Sequence, residues 1–450
     1  MQDIVFSFDL LTLTFLFLLV FPIYCFLIRK QLFSWFDPLL IFVFFNSISV
    51  AFVVYLYFFM ENIKQEYFIS YILCWIGFVA GINFGGWKGL PKWDIKFFNK
   101  QKENYSQHYF LLIDIFMVIS LIIMFFSNFS LLIVKGTLPI FSANPSEAKI
   151  LLYTGGWGIV KRINFSLVNF VLAIPLIKLF HPGIKVSSNQ KIFYITCLFM
   201  CVLILISMGS KSSLVIILNI LFALFLINKT YGISIKDRLL TIKNIELILK
   251  YAKRTFIIAV SFMFLIIILS GVETSSGDSL ITRLVASGDV FYFFYVFDIQ
   301  GDFHYTALDY LPHFFNPLLG MFRLAEYEFG IGVYVLNYAI GLPMDADAVF
   351  GPNAQFPIEG LIYFGVYGAA VYAFIVGAII SFIRVKMLAK IGPYPNCFLL
   401  MLYVVLSSLI VTMGTDVPLF MQMFFDHLIF GSIIIILSLA LLPILKRSKI

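Results

Sequence analysis

The residues of this chain best suited to chemistry are gathered between positions 273 and 357. Arg283 and Arg323 present planar guanidinium forks that match a phosphate with two parallel hydrogen bonds. His304 and His313 carry imidazoles whose ordinary pKa of about 6.5 suits proton abstraction, although a lone loop histidine is more often structural or merely exposed. Asp345-Ala346-Asp347 has the spacing with which two carboxylates hold a divalent cation against a diphosphate. Two Asp flanking an Ala also occur by chance, Pro343 nearby favours an ordinary turn, and no metal is expected. Glu359, just past the segment, opens an apolar run. There it either complements the helix dipole or orients and deprotonates a sugar hydroxyl at the membrane surface. Between these groups stand Phe291, Tyr292, Phe293, Phe294, Tyr295 and Phe297, with Gly and Pro breaks. Charges of both signs among aromatics predict a packed lid, and a loop of this length is usually functional.

Further cations lie on the same predicted face. Lys211 stands in the turn Gly209-Ser210-Lys211-Ser212, whose small neighbours let a phosphate reach the ammonium and the backbone N–H groups together. Lys161 and Arg162 lie about one turn into an apolar helix. Each has a plainer reading: Lys211 can snorkel to water, Arg162 can pair with Glu147 or Asp289, and Arg283 with Asp278 or Asp289. Taken together, Lys211, Arg162, Arg283 and Arg323 point to an anionic ligand. At a membrane boundary that ligand is a lipid phosphate or diphosphate.

What must position these residues is a membrane body. The chain is 61% hydrophobic and 12% charged, with a mean hydropathy of +0.99, whereas soluble domains carry about a quarter charged residues. Apolar runs at 10–28, 38–60, 67–84, 109–134, 158–180, 192–208, 213–228, 255–272, 358–382, 396–412 and 418–442 predict an all-α, polytopic membrane protein of about eleven spans. The first run lacks a basic leader and a small-residue cleavage site, so it reads as a retained helix. Basic residues fall in alternate connectors, which places those connectors and the C-terminus in the cytoplasm and 273–357 outside. The chain thus divides into spans at 1–272, a large extracytoplasmic loop at 273–357 and spans at 358–450. The same alternation accounts for the net charge of +7 without nucleic acid. The five cysteines sit in or beside apolar runs, without metal-ligand spacing. Gly360, Gly365 and Gly368 give the ninth span a small-residue face suited to close helix packing. No internal repeat is visible, which weighs against an inverted-repeat transporter.

Four stretches carry a resemblance. They are KGTLPIFSANPSEAK at 135–149, MGSKSSLVIILNILFAL at 208–224, TRLVASGDVFYFFYVF at 282–297 and PIEGLIYFGVYGAAVYAFIVGAI at 357–379. With the architecture, these stretches resemble Wzy-type polymerases of O-antigen and related repeat-unit polysaccharides, a family that includes the enterobacterial common antigen polymerase. The resemblance implies a GT-C-like membrane glycosyltransferase of the bacterial inner membrane, with its site facing outward. Donor and acceptor would be undecaprenyl-diphosphate-linked oligosaccharides, and no metal, cofactor or nucleotide sugar would be needed. Arg283 and Arg323 fall where the family has large-loop arginines, and Lys211 where it has an Arg-or-Lys turn. Arg283, Arg323, Glu359, His304 and His313 are then the expected catalytic residues. A chain-length regulator and a flippase are the implied partners. An O-antigen ligase sharing the donor, or a transporter of lipid-linked oligosaccharide, are the alternatives.

Overall fold

A computed structural model describes residues 9–33, 37–87, 107–139, 157–180, 186–207, 212–230, 288–341, 351–391 and 397–447, with positions 142, 148, 152 and 184. Every regular element among them is helical. In chain order the longer ones are α1 (Leu10–Leu27), α2 (Pro38–Phe58), α3 (Gln65–Gly85), α4 (Gln107–Lys135), α5 (Gly158–Phe180), α6 (Ser188–Ser207) and α7 (Ser212–Thr230). They continue with α8 (Tyr310–Met321), α9 (Ile331–Ile340), α10 (Phe356–Ile391), α11 (Cys397–Thr415) and α12 (Val417–Arg447). Among the described residues nine helices are long and apolar enough to cross a membrane. The chain is a polytopic helical membrane protein. The seventh predicted span is α7, with a shorter apolar core at Val215–Leu226, and the eighth, at 255–272, lies outside the described residues.

Local sequence sets several helix starts. Asp37 caps α2, its carboxylate accepting the Leu39 N–H at 2.9 Å, and Pro38 follows at the first helical position, where its missing N–H costs nothing. The two oxygens of the same carboxylate accept from Arg384 Nη2, at 2.5 and 2.6 Å. One buried residue therefore starts α2 and ties it to α10. Asp9 caps α1 in the same manner, accepting from Leu11 at 3.0 Å.

The body is centred on α3 and α10. Gly77, Gly81 and Gly85 recur every fourth residue and so share one face of α3. A Cβ added at Gly81 would lie 2.9 Å from the Ala378 nitrogen, and one at Gly377 would lie 3.0 Å from the Ile82 nitrogen. The backbones approach too closely for side chains, as small-residue membrane interfaces allow.

The ninth predicted span is not one straight helix. At Gly365 the backbone turns to φ 69°, ψ −176°, a conformation that is essentially glycine's alone. A Cβ at Gly360 would lie 3.0 Å from the Ala369 Cα, whereas nine residues of straight helix would separate the two by about 13 Å. Residues 356–364 therefore fold back along residues 366–391, and only the second limb is long enough to cross. The small residues at 360, 365 and 368 make this reversal possible.

The stretch 288–341 is a folded layer. Residues 289–291 form a helical turn that widens into a π-helical turn at Tyr292–Val296. The wide turn brings Phe293, Phe294 and Tyr295 inward together. Tyr295 stacks on Tyr67 at 5.1 Å between centroids, and Phe291 meets Tyr71 edge-on at 4.9 Å. The aromatics of the predicted lid thus pack onto the first turns of α3.

Candidate functional site

The chain reversal in α10 builds the site. Its short limb carries Glu359 and Tyr363, its long limb carries Tyr372, and α8 lays Tyr310 and His313 across them. Glu359 is 1% exposed. Its Oε2 accepts from the Tyr372 hydroxyl at 2.8 Å, and Tyr372 in turn accepts from the Tyr310 hydroxyl at 3.0 Å. Among the described residues its Oε1 has no hydrogen-bond partner. A buried polar oxygen without a partner is costly in apolar surroundings. Such a carboxylate invites either a proton or a hydroxyl-bearing ligand.

The approach to the short limb is pinned on both sides. Gln355 donates to Ser49 Oγ at 3.1 Å. Asp416, between α11 and α12, accepts the Leu419 N–H at 2.8 Å and also the Ala354 N–H. It lies within electrostatic reach of Glu359.

Beside the carboxylate is a second polar group. His313 is buried, and its Nδ1 lies 3.0 Å from Glu328 Oε2. The carboxylate favours the Nδ1–H tautomer and leaves Nε2 as an acceptor. Asn316, one turn along α8, donates to Glu326 O at 2.7 Å and accepts the Glu328 N–H at 2.9 Å. It therefore holds the strand of chain that presents Glu328. Tyr305 stacks on Tyr363 at 5.4 Å, and both rings lie about 6 Å from His313, at 6.2 and 5.9 Å. Burial pushes the Tyr305 hydroxyl up to about 12, so it remains a hydrogen-bond donor at neutral pH.

Of the residues expected from sequence, the structure brings two together. Glu359 and His313 meet through Tyr310 and Tyr363, whose rings lie 5.3 Å apart. His304 and Arg323 are exposed. Arg323 follows α8 in the left-handed region, at φ 56°, an uncommon place for a residue with a Cβ. Arg162 is engaged elsewhere than either expected partner. Its Nε lies 2.9 and 3.0 Å from the Asp426 carboxylate oxygens, its Nη2 lies 2.7 Å from Oδ1, and its Nη1 donates to Pro317 O at 2.8 Å. That arrangement neutralises the guanidinium and fastens α8 to the body. Lys211, Arg283, Glu147, Asp345 and Asp347 lie outside the described residues.

Sequence reading counted Tyr310 and Glu328 in the 273–357 stretch without giving them a role, and passed over Tyr363, Tyr372 and Asp426. The tyrosines gave no signal in a chain with 23 of them. Asp426 did, because an ionisable residue within a membrane span is by default functional or paired. Among the described residues no three His, Cys, Asp or Glu side chains gather as metal ligands.

Fold and site together define a polytopic helical membrane protein in which a folded aromatic layer covers a buried carboxylate at a broken helix. No protein-family model, curated protein or solved structure matches the chain.

Proposed function

We propose that the protein is a membrane glycosyltransferase that polymerises undecaprenyl-diphosphate-linked oligosaccharide repeat units at the outer face of the bacterial inner membrane. The observation that carries this reading is Glu359 Oε1, buried at a helix break beneath the folded layer and without a hydrogen-bond partner among the described residues. The resemblance of the four sequence stretches to Wzy-type polymerases supports it, and with it a GT-C-like arrangement of about eleven spans.

In the proposed reaction an acceptor hydroxyl donates to Glu359 Oε1. As its oxygen bonds to the donor's anomeric carbon, the proton passes to the carboxylate and the carbon–oxygen bond to the lipid diphosphate breaks. Holding both substrates in line supplies much of the rate. The departing diphosphate is assigned to Arg283, Arg323 and Lys211, cations that stabilise developing charge without a metal. Asp426 already neutralises Arg162, which we therefore place in the scaffold. The His313–Glu328 pair and the stacked Tyr305 and Tyr363 offer a polar, aromatic-faced seat for a sugar ring.

A transporter of the same lipid-linked substrate is the second reading. A broken helix bearing a buried carboxylate is a form that transporters also use. The test is a membrane preparation given single lipid-linked repeat units and no nucleotide sugar. A polymerase produces a ladder of longer lipid-linked chains, undiminished by chelator. Glu359→Gln should lower that rate by about 10²–10⁴ at normal expression. Units moved across the bilayer without lengthening would instead establish the transporter. Units unchanged until lipid A-core is added would establish a ligase.

A further inference from the structure

We infer that Tyr372 and Tyr310 form a proton relay between Glu359 and the folded layer 288–341. The carboxylate can then be recharged without opening the helix bundle. The inference deepens the proposed reaction and rests on it for its purpose, although the relay itself is a property of the buried chain.

The geometry is that of a continuous file. Glu359 Oε2, Tyr372 Oη and Tyr310 Oη succeed one another at 2.8 and 3.0 Å, within ordinary hydrogen-bond lengths. Exposure rises along it, from 1% at Glu359 and 7% at Tyr372 to the half-buried Tyr310 on α8. The side chains come from three stretches that are adjacent only because α10 reverses at Gly365. Each hydroxyl both donates and accepts, so the file has two polarities. With Glu359 ionised, Tyr310 donates to Tyr372 and Tyr372 to Oε2. With Glu359 protonated, its O–H donates to Tyr372, Tyr372 to Tyr310, and Tyr310 outward.

Passing from the second state to the first moves one proton out of the carboxyl. Every hydroxyl gives one proton and receives one, so no ionised tyrosine is left behind. In the proposed reaction Oε1 takes the proton from the acceptor, the carboxyl rotates to turn that O–H toward Tyr372 as the hydroxyls adopt the second polarity, and the proton leaves through the file. The file gives Glu359 its route for this reset. Tyr363 and Tyr372 stand on its own helix, Tyr310 on α8, and Asp416 at the α11–α12 turn.

The experiment is hydrogen–deuterium exchange of the Glu359 carboxyl, followed by infrared spectroscopy on the full chain in lipid nanodiscs. The carboxyl band is assigned by its loss in Glu359→Gln. Tyr372→Phe and Tyr310→Phe keep both rings and remove one hydroxyl each. Each should slow exchange by about tenfold or more. Tyr24→Phe, which removes a buried hydroxyl on α1, should leave the rate unchanged. Thermal unfolding of each variant confirms that the fold is retained. Exchange as fast in both variants as in the unsubstituted chain would overturn the relay, as would the absence of any protonated band from Glu359. Slowed exchange in a chain that makes no polymer ladder would keep the relay and remove the polymerase. A ladder with unslowed exchange would do the reverse.

Discussion

Removing Asp426 should be far more damaging than removing Asp426 and Arg162 together. The two side chains are only 4% and 10% exposed, so water screens their attraction little. Three nitrogen–oxygen contacts between 2.7 and 3.0 Å join them, and a fourth bond reaches the Pro317 carbonyl. Asp426→Asn leaves the guanidinium buried with that carbonyl as its remaining strong acceptor. Breaking a buried pair from one side costs about 3–5 kcal/mol. That is roughly a hundredfold to several thousandfold in the folding equilibrium. Arg162→Met with Asp426→Leu removes both charges at similar volume and should fall within about 1 kcal/mol of the starting protein. The assay is equilibrium unfolding in mixed micelles, run as a double-mutant cycle beside the polymer ladder. Asp426→Asn as stable as the starting chain would refute the reasoning, as would a double substitution no better than the sum of the singles. A stable double variant that still makes polymer confirms Arg162 as scaffold. A stable one that makes none returns it to the phosphate site.

Two further outcomes follow from the geometry. Gly81→Ala should cost about 3 kcal/mol, because the added Cβ meets the α10 backbone rather than a side chain that could move. Gly158→Ala, where a Cβ meets no atom of the described residues within 4 Å, should be near neutral by the same unfolding measurement. Burial pushes the Asp289 carboxyl up from 3.8 to about 7. The folded chain therefore binds more protons than the unfolded one between those values, and this residue's contribution to stability falls as pH rises from about 4 to about 7. Asp289→Asn should flatten that part of the stability–pH profile, and an unchanged slope would refute the raised carboxyl.

The sequence by itself determined the membrane body. Hydropathy is a local sum over about twenty residues, so the runs at 38–60, 109–134 and 158–180 could be read directly as α2, α4 and α5. The run beginning at Pro38 was bounded by hydropathy alone; its Asp37 cap came from the structure, although a cap and the N–H it satisfies lie within one turn. The aromatic string at 291–297 announced packing, though not what it would pack on. Only the tertiary structure decided the pairings. Arg162 and Asp426 stand 264 positions apart, and nothing in either neighbourhood names the other. The glycines at 360, 365 and 368 read as a packing face, whereas the fold spends Gly365 on a reversal. That reversal places Glu359 against Tyr372 and both beneath Tyr310. A glycine permits either outcome, and the choice depends on which surfaces the rest of the chain presents to be buried.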